Sequence, residues 1–119
     1  MEKIIKINGK DYRFKSSASI PRLYRLKFKR DIFVDLSKLT KDFSDKAKDN
    51  DTNLEIESLE IFENVAYLMN KHGDSSQPDD INEWLEQFET FDIYQTLPEI
   101  LELWISNKQQ LSSEKKNQE

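Results

Sequence analysis

The chain has 119 residues, 36% of them apolar, 34% charged and 11% aromatic, with a formal net charge of −5. That length suits one domain, the aromatic content argues against wholesale disorder, and the acidic balance is the wrong sign for a protein that works mainly by neutralising phosphates. There is no cysteine, which excludes disulfides and thiol chemistry.

The opening MEKIIKING has no apolar h-region, and no apolar run approaches the roughly 18 residues of a membrane span. Neither a signal peptide nor a membrane contact is expected, and the cytoplasm is the expected compartment.

Lys3 to Lys15 predicts a β-hairpin. Ile5 and Ile7, then Tyr12 and Phe14, alternate with polar residues at period two, and Asn8-Gly9 between them tolerates the positive φ of a tight turn. Ser16 to Ser19 is a short linker. Ser19 is placed as a helix N-cap with Pro21 in the first turn. Ile20, Leu23, Tyr24 and Phe28 then share one face.

Asp31 is a second N-cap. After it Ile32, Leu36, Leu39 and Phe43 repeat at helical spacing, with Phe33 beside them. Whether Ser19 to Phe43 is one bent helix or two is left open by the pattern. Ser44 to Asn53 is polar and aperiodic and is expected to be a loop.

The clearest helix runs from Asn53 to His72. Leu59, Phe62, Val65, Ala66 and Met69 form its stripe, with Ile56, Ile61 and Leu68 widening it. Glutamates crowd its start, and Lys71 and His72 its end, as the helix dipole favours. Gly73 is placed as a left-handed residue after the helix, and Asp74 to Pro78 as a turn.

Asp80 with Glu83 forms a capping box for a short helix carrying Ile81, Trp84, Leu85 and Phe88. Asp92 is expected to cap the last helix, whose stripe is Ile93, Leu97, Ile100, Leu101, Trp104 and Ile105. Pro98 interrupts it. Either Ile93 to Thr96 is a separate turn with Thr96 as cap, or the helix kinks there. The last nine residues, LSSEKKNQE, are a polar tail.

The expected fold is α+β and mainly α-helical: an N-terminal β-hairpin, four or five helices, and a disordered tail, with one domain over 1–110 and the tail over 111–119.

Chemistry is sparse. His72 is the one histidine, and with Asp74 and Asp79-Asp80 it does not make a zinc pattern. No serine sits in a strained elbow. The carboxylate pairs lie on exposed helix faces, where neither pKa is raised as acid–base work requires. With two glycines, both at turns, no phosphate-binding loop exists. No catalytic residue, metal or cofactor is expected.

One run, Arg22, Arg25, Lys27, Lys29 and Arg30, is basic and carries Tyr24 and Phe28 between its charges. It reads as a solvated face that pairs with acidic helices, rather than as a nucleic-acid contact.

The hairpin with NGK, then RDIFVDLSKL (Arg30 to Leu39), LEIFENVAYLMNKHGD (Leu59 to Asp74), INEWLEQF (Ile81 to Phe88) and LPEILELWISN (Leu97 to Asn107) occur in that order. This set resembles the tail assembly chaperones of long-tailed phages and prophages of Gram-positive bacteria. The likeness covers roughly Ile4 to Asn107 and rests on hydrophobic helix patterns rather than on a catalytic signature.

The resemblance implies a non-enzymatic chaperone. Such a protein binds the helical tape measure protein and keeps it soluble until tail tube protein polymerises around it. It is then displaced and is absent from the mature virion. Self-association is common in the family, and some members also have a longer frameshifted product, for which Lys115-Lys116 would be the encoded slippery run.

An apolar groove between the Leu59–Met69 and Leu97–Ile105 helices would take the partner in helix-in-groove fashion. Trp104, Ile105 and Ile100 are the first candidates, with Phe62 and Met69 second. The same residues would equally build an ordinary core. Two other readings stand beside this one. A regulatory adaptor could bind nucleic acid through Arg22 to Arg30, with salt-sensitive retention as its mark. A structural tail component would be found in purified particles.

Overall fold

The computed structural model describes residues 1–49 and 53–106. Two antiparallel strands, β1 (Glu2–Ile7) and β2 (Lys10–Lys15), are followed by α1 (Ser19–Phe28), α2 (Ile32–Lys48), α3 (Ile56–Gly73) and α4 (Ile81–Leu85). A single 3₁₀ turn, Tyr94–Thr96, leads into α5, described over 97–106. The α+β, mainly helical class with five α-helices among the described residues is as the periodicities predict.

Within the chain the described residues form two compact units, one of Met1–Ser17 with the described part of Met69–Glu119 and the other of the described part of Ala18–Leu68. Residue 110 and the tail 111–119 lie outside the described residues.

The first unit is built on the hairpin. Asn8 and Gly9 have φ of 51° and 81°, the pair of left-handed residues that a two-residue turn matching the strand twist requires. The turn sets the register Ile5↔Tyr12 and Lys3↔Phe14. That register puts Ile5, Ile7, Tyr12 and Phe14 on one buried face. Tyr12 packs on Phe88 at 5.1 Å between ring centroids, and Phe88 meets Trp84 edge-on at 5.0 Å.

Asn70 ties these parts together. Its Nδ2 donates to the Arg13 carbonyl of β2 at 2.8 Å, and its Oδ1 accepts from the Trp84 indole at 2.8 Å. The chain start is also held, since Met1 and Ser16 exchange two 2.8 Å bonds.

Gly73 is not the left-handed residue beyond the helix that its position suggests. It is the last residue of α3, and Gly9 is the described glycine with positive φ. The reason for glycine is space: a Cβ there would lie 2.5 Å from the Arg13 carbonyl oxygen. The close approach of β2 to the end of α3 therefore requires it.

In the second unit the choice between one bent helix and two resolves to two. α1 ends at Lys29, which has φ 60° and donates its backbone N–H to the Arg25 carbonyl at 2.9 Å. Asp31 caps α2 as expected, accepting from the Phe33 N–H at 2.8 Å. Ser19 is not a cap. It is the first residue of α1, and Ala18 holds the cap position without a side-chain bond.

The expected Ser44–Asn53 loop is also corrected, because α2 continues to Lys48. Nothing in Ser44 to Lys48 breaks a helix, and the Lys46–Glu55 pair at 3.7 Å holds that turn to the segment before α3. α3 starts at Ile56 rather than Asn53, with Asp42 of α2 accepting the Glu55 N–H at 3.0 Å.

The capping-box aspartate is in place, with Asp80 accepting from the Asn82 N–H at 3.1 Å. At the other interruption, Asp92 does not cap α5. The separate-turn alternative describes the chain, but Thr96 Oγ1 donates back to the Ile93 carbonyl at 2.6 Å rather than capping the helix. Pro98 then sits in the first turn of α5, where no backbone donor is needed.

Candidate partner-binding surface

The five residues singled out for partner contact have very different exposures. Met69 is 0% exposed, Phe62 and Ile100 1%, and Trp104 9%, whereas Ile105 is 39% exposed. Four of the five therefore lie in the interior of the folded chain, and contact through them requires the helices to open. Ile105 alone among them meets solvent. Their helical stripes are core stripes, the other reading that the spacing allowed. Trp84 is likewise buried.

The acidic and histidine positions are accounted for by local bonding. His72 Nε2 lies 2.9 Å from Ser17 Oγ. Burial pushes its pKa below the usual histidine value, with Lys15 and the chain's N-terminal ammonium acting in the same direction. Asp74 binds Ser76 Oγ at 2.6 Å and Gln77 Nε2 at 3.1 Å, which holds its carboxyl below the usual range. Among the described residues no three His, Asp or Glu side chains cluster as a metal site would need. No described helix is long and apolar enough to cross a membrane.

The basic run is not uniform once folded. Arg30 is already paired although its side chain stays 46% exposed: its guanidinium grips Asp35 through Nε at 2.7 Å and a second nitrogen at 2.8 Å, and it reaches Glu57 at 3.5 Å. Tyr24 donates to the same Asp35 carboxylate at 2.7 Å. Burial works to raise the Asp35 pKa, but the bonds from Arg30 and Tyr24 outweigh it and keep the carboxyl below its ordinary value. Burial and the Asp35 charge push the Tyr24 hydroxyl well up, so it remains a donor. Lys27 lies over the Tyr67 ring at 5.3 Å.

Arg22, Arg25 and Lys29 are different. They are exposed and make no ion pair among the described residues. A cleft of about 440 Å³ opens beside them at the α1–α2 corner, lined by Pro21, Arg25, Lys29 and Phe33 among others. Phe33, which also lines it, and Leu26 and Val34, next in sequence to the lining residues Arg25 and Phe33, are each more than half exposed.

This surface is less apparent in the sequence than the buried stripes, although a signal exists. Leu26 is out of phase with Ile20, Leu23, Tyr24 and Phe28 but in phase with Arg22, Arg25 and Lys29. Phe33 and Val34 are similarly out of phase with Ile32, Leu36 and Leu39.

No family model, no curated protein and no solved structure matches this chain.

Proposed function

We propose that this chain is a non-enzymatic chaperone of phage tail assembly that binds the helical tape measure protein and keeps it soluble until the tail tube polymerises. One observation carries the reading. Each segment of the resemblance falls on one element, in order: the NGK turn joins β1 and β2, RDIFVDLSKL opens α2, LEIFENVAYLMNKHGD fills α3, INEWLEQF begins as α4, and LPEILELWIS is α5.

The physical logic is simple. A tape measure helix that awaits its tube exposes apolar stripes that would otherwise aggregate. An acidic protein with apolar side chains on its surface can cover them, and its net charge keeps the complex soluble. Among the described residues Ile4, Leu26, Phe33, Val34, Ile56, Phe91 and Ile105 are such side chains. The protein would act in the host cytoplasm and be absent from the mature virion.

The test is co-expression with the large helical protein encoded directly downstream. Solubilisation and co-purification of that protein support the reading. An insoluble downstream protein, with this chain eluting alone, refutes it. Detection in purified particles would point instead to a structural tail component.

A further inference from the structure

We propose that the α1–α2 corner is a docking surface for an acidic amphipathic helix of a partner protein. Arg22, Arg25 and Leu26 stand at i, i+3 and i+4 on the exposed side of α1, and Lys29 follows at the left-handed residue that ends the helix. Three cations thus surround one leucine that is 52% exposed. Phe33, 56% exposed, closes the far side of the cleft that Pro21, Arg25 and Lys29 line. Val34 extends the apolar part.

Charge complementarity selects the occupant. The cations have no carboxylate partner among the described residues, while Arg30 next to them has two, Asp35 and Glu57. The surface therefore offers three cations without a carboxylate partner among the described residues, beside exposed apolar side chains. A helix with a leucine stripe flanked by glutamates satisfies both features at once. A nucleic acid satisfies one. Its phosphates would meet the cations and one base could stack on Phe33, but the aliphatic Leu26 and Val34 would stay uncovered.

A second observation, in the backbone, concerns Lys29. It occupies the left-handed position after α1, with φ 60° and ψ 35°. Glycine is the usual residue there because a side chain meets steric resistance. Lysine in that position, whose N–H closes α1 on the Arg25 carbonyl, also brings a third cation to the lining of the cleft. The inference goes beyond the chaperone reading and does not depend on the partner being a tape measure protein.

The test is an NMR titration of the isotope-labelled full chain with two synthetic five-turn helical peptides. Both carry leucines at i, i+4 and i+7, flanked by glutamates in one and by lysines in the other. The glutamate peptide should bind about tenfold or more tightly than the lysine peptide and shift amides over Pro21–Val34. The R22E/R25E variant should lose that preference.

Lys29→Gly should weaken binding by about threefold, the scale of one exposed ion pair, while raising the melting temperature. A residue kept only for the helix end would not move the two readouts in opposite directions. Equal binding of the two peptides, no saturable binding, or shifts confined to other segments overturns the proposal. Tighter binding of a single-stranded DNA oligonucleotide to the same residues assigns the face to nucleic acid and also overturns it.

Discussion

Asn70→Ala gives the sharpest test of how the first unit is held together. Asn70 is 0% exposed and serves two groups at 2.8 Å each, the Arg13 carbonyl and the Trp84 indole N–H. Alanine withdraws both bonds at once. A buried polar group deprived of its partner loses about 1–3 kcal/mol, so two of them set the expected loss at about 3 kcal/mol. That is a large share of the roughly 5–15 kcal/mol that holds a domain of ordinary stability, yet it leaves the variant folded in water.

Guanidinium unfolding followed by tryptophan fluorescence reports on the event directly, because Trp84 and Trp104 belong to the same compact unit as Asn70. The midpoint should fall with little change in slope. In a Trp84→Phe background, which keeps a ring but removes the indole donor, Asn70→Ala should be milder by about 1 kcal/mol, the coupling expected of one lost bond. A loss under about 0.5 kcal/mol, or a cycle with no coupling, refutes the bridging role.

Other consequences can be measured in the same way. Gly73→Ala should destabilise by about 1–3 kcal/mol despite alanine's better helix propensity, because its Cβ would lie 2.5 Å from the Arg13 oxygen; an unchanged or raised melting temperature would show that β2 yields freely. Trp104→Ala should cost about 3–5 kcal/mol as a core truncation, so loss of folding rather than selective loss of binding is expected, and a stable variant that merely fails to bind would return Trp104 to the list of contact residues.

Acid should weaken the fold through His72. Its folded pKa lies below the ordinary 6.5, so below that pH the unfolded chain binds more protons and stability falls as pH drops toward the folded value. His72→Gln should flatten the stability profile below about pH 7. An unaltered slope would assign that dependence elsewhere. Asp35, Asp42 and Asp74 are depressed below 3.8, so their contributions fade only at lower pH and do not confuse the measurement.

Much of this protein is legible before folding because the relevant forces are local. Asn8-Gly9 needs only its own φ freedom to turn the chain, and period-two alternation then chooses the buried side of the hairpin. Asp31 and Asp80 cap helices through bonds to residues two positions on. Gly73 could be flagged as required near a helix end, but not for its reason, since the atom that excludes a side chain belongs to Arg13, far away in sequence.

The length of α2 was hidden for the same cause. Ser44 to Lys48 carries no apolar period, and the groups that hold its end, such as Glu55, follow a polar gap. The candidate contact residues show the limit most clearly. A helical stripe records that one face will be covered, whether by the rest of the chain or by a partner. Only tertiary packing decided that Phe62, Met69, Ile100 and Trp104 are covered from within, and that Leu26 and Phe33, out of step with their own stripes, face outward beside cations that make no ion pair among the described residues. Sequence periodicity specifies which side of an element is apolar; burial depends on what arrives from elsewhere in the chain, and that is a property of the fold.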